Sequence, residues 1–142
     1  MALPVPDRPH VIIAGFGVPG RFIAEALEFH GVPFCVIETN SAVAERCTTV
    51  PMVVGDVRDE AILRAAGIER ATLLALAIPI DEVVLQTVEL TRRIRPDLKI
   101  IARVNYTSAG LAAQKLGAND VIVGEQIVAR EFFRFIQKEL NQ

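Results

Sequence analysis

Short runs rich in Val, Ile and Leu alternate along the chain with stretches in which apolar residues recur every three or four positions. The first pattern belongs to buried strands and the second to amphipathic helices. Strands are predicted over His10–Gly15, Pro33–Glu38, Met52–Gly55, Thr72–Ala77, Lys99–Val104 and Asp120–Val123. The first helix is expected from about Pro19 to His30, burying Phe22, Ile23, Ala26 and Leu27 and stopping at Gly31, which can adopt the left-handed conformation of a helix C-terminus. Asn40 or Ser41 caps a second helix. Asp59 caps a third, which buries Ile62, Leu63 and Ala66 before Gly67, and Asp81 caps a fourth, which buries Val84, Leu85, Val88 and Ile94 before Pro96. A fifth helix opens at Thr107 or Ser108 and ends at Gly117. The closing segment, GEQIVAREFFRFIQKEL, carries a broad apolar stripe of Ile127, Val128, Phe132, Phe133, Phe135, Ile136 and Leu140. Such a stripe fits either a core helix or a helix that also packs on a second subunit.

Parallel strands joined by helical crossovers predict an α/β fold: a Rossmann-type, doubly wound, six-stranded parallel sheet with helices on both faces. Composition agrees. The chain has 142 residues, enough for one domain with one real core. Its residues are 51% hydrophobic but only 6% aromatic, so the excess lies in the aliphatic side chains that fill strands buried on both sides. Residues 1–9 carry Pro4, Pro6 and Pro9 and are expected to form a flexible leader. The domain is expected over residues 10–142, without an internal repeat. The net charge of −2 gives no basic field for a nucleic-acid backbone. The longest apolar stretch, Ala71 to Ile80, is about half the length of a spanning helix and is broken by Pro79, so no direct membrane insertion is expected. MALPVPDRP does not read as a secretory signal. Cys35 and Cys47 are too few for a disulfide framework or a zinc site, and both are expected to be buried thiols in a cytoplasmic, reducing compartment.

Doubly wound sheets bind ligands at the carboxyl ends of their strands, which directs attention to those positions. Gly15, Gly17 and Gly20 form G-x-G-x-x-G as GFGVPG, between a strand and a helix. Gly15 permits the tight turn, Gly17 lets backbone approach a pyrophosphate, and Gly20 lets helix pack closely on sheet, with Val18 and Pro19 completing the loop. Phosphates would then meet the free amides that open the helix. Glu38 closes the second strand 18 residues after Gly20, close to the spacing at which an acid meets the adenine ribose. Its carboxylate can accept from both hydroxyls and would repel a 2′-phosphate, although a helix-capping Glu is the alternative; Thr39 adjoins it. Asp56, with Val57 beside it, could accept from an adenine amine or serve only as a turn residue. Ala77 ends the fourth strand. Arg103 ends the fifth and could reach phosphate or make a surface ion pair. Glu125 opens the last helix, where a favourable N-terminal charge explains it better than a metal ligand. No catalytic set is evident: Tyr106 has no lysine four residues later, and neither His10 nor His30 ends a strand.

These residues, in the segments HVIIAGFGVPG, CVIET, VVGDVRDEAILRAAGIERATLLALA, IIARV and KLGANDVIVGE, resemble the N-terminal lobe of RCK domains, also called KTN or TrkA-N domains. The GD element followed by L-x-x-A-G-I-x-x-A is the most discriminating part. The resemblance implies a regulatory, non-enzymatic module that binds NAD(H) or AMP, ADP or ATP. It further implies a homodimer or higher oligomer, working at the inner face of a membrane through a potassium channel or transporter. For individual residues it implies phosphate binding by Gly15, Gly17 and Gly20, ribose binding by Glu38, adenine contact by Asp56 and phosphate contact by Arg103. An NAD-dependent oxidoreductase fragment is the alternative. The chain departs from the family where many members have Arg and it has Val18, which favours NAD or a smaller nucleotide over ATP, with Arg21 expected to substitute in part. Val84 and Gly124 stand where Asn and Pro are usual, and the C-terminal lobe of many members has no counterpart.

Overall fold

Six strands and six helices alternate in the computed structural model, which describes residues 3–141. The strands are β1 (His10–Ala14), β2 (Phe34–Glu38), β3 (Met52–Val54), β4 (Ala71–Leu76), β5 (Lys99–Val104) and β6 (Asp120–Val123). The helices are α1 (Val18–Phe29), α2 (Ser41–Arg46), α3 (Glu60–Ala65), α4 (Asp81–Ile94), α5 (Thr107–Leu116) and α6 (Gly124–Leu140). All pairings are parallel, in the order β3-β2-β1-β4-β5-β6, so the expected doubly wound sheet is formed and β1 and β4 meet at the switch point.

Alternation along the strands divides the core in two. Ile12, Ala14, Cys35, Ile37, Leu74, Leu76, Ile100 and Ala102 face α3, α4 and α5 through Leu63, Val84, Val88 and Ala113. Val11, Ile13, Phe34 and Val36 face α1 and α2 through Ile23, Ala24, Leu27 and Val43. On this second side, register carries Ile13 to Ala75 and Ile101, and Arg103 to Ile122. Cover thins there: Ile101 and Arg103 are half-buried and Ile122 is 48% exposed.

Several local expectations need correction. Phe22 is 67% exposed and Ala26 is also exposed, because α1 presents Gly20 and Ala24 to the sheet, with Ile23 and Leu27 half-buried beside them. Small residues let the helix sit close, and that rotation turns Phe22 outward. Asn40 and Asp59 do cap α2 and α3, accepting from the amides of Ala42 (3.0 Å) and Ala61 (2.9 Å). Asp81 does not cap α4. Ile80 holds the cap position, and the Asp81 carboxylate turns instead to the amides of Asn105 (2.8 Å) and Tyr106 (3.3 Å). Cys35 is buried, and burial pushes its thiol up to about 12, whereas Cys47 is only half-buried at the end of α2. Gly31 takes positive φ at the end of α1, as expected, and Gly67 and Gly117 do the same after α3 and α5. Ahead of β1, Leu3 pairs with Pro51, and the Pro6 carbonyl accepts from Arg70.

Candidate functional site

The carboxyl ends of β1 to β5 surround a cleft of about 520 Å³ at the switch point. Ladder bonds hold these ends together: the amide of Gly15 donates to Ile37, that of Gly55 to Glu38, and that of Ala77 to Ala14. Gly15, Gly17, Val18, Pro19, Glu38, Thr39, Asp56, Val57, Ala77 and Arg103 all line the cleft. Of the expected residues only Gly20 does not. It lies behind the loop, where an added Cβ would sit 1.9 Å from the Gly15 carbonyl oxygen. That geometry is the close helix packing assigned to it, and its amide remains in the first turn of α1.

The loop leaves the amides that open α1 without a side-chain acceptor. Gly17 precedes α1 without a capping side chain, and Pro19 in the first turn has no N–H to satisfy. The first-turn amides of Val18 and Gly20 have no intrahelical acceptor and sit at the positive end of the helix dipole. An oxyanion would satisfy them.

Glu38 lines the cleft with its carboxylate engaged by main chain on two sides. Its Oε1 accepts the Phe16 amide at 3.0 Å, pinning the glycine loop to β2. Its Oε2 accepts the amide of Asn40 at 2.9 Å and the Thr39 hydroxyl at 3.4 Å, steadying the entry to α2. A carboxylate offers about four acceptor directions, and three are used here, so about one remains for a donor from the cleft side.

Asp56 is engaged by a neighbour that sequence reasoning missed. Arg58 approaches to 2.7 Å in a fork and also donates its own amide to Asp56, and these bonds hold the Asp56 carboxyl below its ordinary range. Arg58 lines the cleft as well and reaches Gln86 on α4 at 3.1 Å. Only the D-x-R spacing hinted at this pair. Phe16, Ile37, Ile80 and Val83 were likewise missed; they supply apolar wall and carry no polar signature in the sequence.

Arg103 reaches the cleft half-buried, with Asn105 Oδ1 at 3.4 Å from its guanidinium. Among the described residues it makes no salt bridge, so the surface ion pair is not the arrangement found. Arg21 does not substitute for the missing loop arginine. Its guanidinium stacks over the Phe16 ring at 4.7 Å and lines a smaller depression between α1 and α2. Glu125 lies outside the cleft, accepting the amide and hydroxyl of Thr107 at the start of α5, which holds its carboxyl low. His10 is buried at the opposite end of β1, its ring nitrogens 2.8 Å from the carbonyls of Arg8 and Ala66.

A family model described as the TrkA-N domain matches residues 11–124. A relative in Escherichia coli (strain K12) with the name "Putative cation/proton antiporter YbaL" is 31% identical over 137 residues, covering 95% of this chain and 25% of its own length. The glutathione-regulated potassium-efflux system protein KefC of Escherichia coli O157:H7 is 34% identical over 113 residues, 78% of this chain and 18% of KefC. The chain thus spans a quarter or less of these relatives. Among solved structures, the TrkA-N domain of inner membrane protein YbaL from Escherichia coli superposes with a TM-score of 0.83 at 34% identity, covering 89% of this chain and 95% of that one. The Kef C-terminal domain of Shewanella denitrificans in its AMP-bound form gives 0.83 at 26% identity, covering 94% and 82%.

Proposed function

The chain belongs to the TrkA-N domain family, and from that membership we propose that it is a nucleotide-sensing regulatory module of a potassium transport system, not an enzyme. One observation carries the reading: the uncapped glycine turn, the Glu38 carboxylate and the unpaired Arg103 guanidinium converge on a single cleft. Amides and Arg103 suit the phosphates of NAD(H), AMP, ADP or ATP, and Glu38 suits the adenine ribose. The apolar walls of Ile37, Val57, Ile78 and Val83 suit the base. Asp56 serves the adenine end indirectly, by holding Arg58 along the rim. The cleft lining includes no His, Cys, Lys or Tyr, which favours binding over proton-transfer chemistry and over the oxidoreductase alternative.

Relatives bearing the names of potassium-efflux and cation/proton antiporters point to a membrane transporter as partner. Among the described residues no helix is long and apolar enough to cross a bilayer. The module is placed at the cytoplasmic side of that transporter. A nucleotide biases such an assembly only if it binds two arrangements of paired domains with different affinity. The working unit is a homodimer, and α6 supplies the contact. From Ile127 to Leu140 this helix is exposed all round, and at 100° per residue the apolar side chains from Val128 to Leu140 cover an arc of about 160°, with Ile127 outside it. The thinly covered side of β5 and β6 offers it Ile101 and Ile122, with the Lys99–Asp120 ion pair at one end.

Mass spectrometry of the purified chain should identify a bound adenylate, and calorimetry should show Glu38→Ala weakening nucleotide binding by about 1–3 kcal/mol through loss of a charged acceptor. Unchanged affinity removes Glu38 from the site. Failure of every adenylate to bind removes the sensor.

A further inference from the structure

The cleft has unequal halves. The ends of β1 to β4 line it throughout, β5 contributes Arg103 alone, and β6 contributes nothing. A dinucleotide in a doubly wound sheet needs both halves of the crevice, with its adenosine over the first three strands and its second nucleoside over β4 and β5.

That second position is strapped. Asn105, just past β5, sends its side-chain amide across to the Pro79 carbonyl at 2.8 Å and to Asp81 Oδ1 at 3.1 Å. The same Asp81 carboxylate, in the first turn of α4, also takes the main-chain amides of Asn105 and Tyr106. The gap between the ends of β4 and β5 is therefore bridged by a network whose donors and acceptors are mutually satisfied. Opening it for a second nucleoside leaves the Pro79 carbonyl and part of the Asp81 carboxylate short of donors. The bare Asp81 carboxylate would also face a phosphate-bearing ligand.

Resting on the nucleotide reading above, we propose that this site selects adenosine mono- and diphosphates over dinucleotides, and that the Asn105–Asp81 strap is the selecting element. Charge agrees with shape. Arg103 stands where the cleft ends, and a terminal phosphate, with more negative charge than either phosphorus of a dinucleotide bridge, gains more from one guanidinium and the α1 amides. Among the residues lining the cleft, the other guanidinium, Arg58, is already forked onto Asp56, so a third phosphate finds no further free cation.

Calorimetric titration of the chain with AMP, ADP, NAD and nicotinamide mononucleotide tests this, repeated on Asn105→Ala. AMP and ADP are expected to bind at least tenfold more tightly than NAD, nicotinamide mononucleotide to give no saturable heat, and Asn105→Ala to narrow the AMP-to-NAD ratio several-fold. If Asn105→Ala does not fold, Asn105→Asp opens the strap at constant size by setting two carboxylates against each other, and the same narrowing is expected. NAD binding as tightly as AMP to the unaltered chain overturns the selection and leaves the nucleotide site standing. A ratio unmoved by a folded Asn105 variant overturns the role of the strap. Absence of binding by all adenylates overturns this proposal together with the site itself.

Discussion

Gly17 and Gly20 stand three residues apart in one turn, yet their surroundings are opposite. A Cβ at Gly20 meets the Gly15 carbonyl at 1.9 Å, whereas one at Gly17 meets nothing within 4 Å, and the Gly17 φ of −78° suits any residue. Gly20→Ala must push α1 off the loop and should cost about 2 kcal/mol or more of stability. Gly17→Ala should melt within a few degrees of the parent but bind nucleotide several-fold more weakly, since its methyl occupies the path of a phosphate. Thermal melts and calorimetry on the two variants check this; equal loss of stability in both would contradict the packing described. The glycine turn and its place between strand and helix were legible in the sequence because they depend on local backbone and on spacing alone. The partners of Asp56 and Arg21 were not, because the turn geometry after β3 and the proximity of the Phe16 ring arise only when the loop is folded.

Helix ends show the same division one level up. Asn40 and Asp59 cap their own helices, a contact reaching two residues along the chain, and the sequence announced Asp59 outright and Asn40 as one of two neighbours. Asp81 and Glu125 look like similar first-turn acids but serve other elements: Asp81 ties α4 to the end of β5, and Glu125 caps α5 from the start of α6. The Glu125 contact has a pH signature. Bonds from the Thr107 amide and hydroxyl lower the folded carboxyl below its ordinary value, so their contribution to stability is complete above the ordinary glutamate range. It is lost as pH falls through the depressed folded value. Glu125→Gln should therefore lower the melting temperature near neutrality and make it less sensitive to acid between about pH 5 and pH 3, the range around the ordinary glutamate value. A melting curve whose acid limb matches the parent's would show that the contact carries no such stability.

At the scale of the molecule, α6 is the element that the domain by itself does not explain. A helix of 17 residues extends about 25 Å and, without tertiary cover, is marginal in water. Seven large apolar side chains on it are exposed, several hundred Å² per copy, comparable with the ~800 Å² per partner of a standard interface. Replacing Phe132 and Phe135 with Glu should convert a dimer into a monomer in sedimentation analysis while leaving the six-stranded core folded; an unaltered sedimentation coefficient would remove α6 from the contact. The sequence by itself determined the strands, their parallel order of winding and the glycine turn, because side-chain periodicity and backbone freedom are properties of short segments. It also placed the acid and the arginine at strand ends, since strand length fixes where each run stops. Only the tertiary structure decided which side of α1 is buried, that Arg58 holds Asp56, and that Asn105 closes the gap between β4 and β5. Those outcomes depend on distances between elements far apart in the chain, which packing sets after the local pattern has been satisfied.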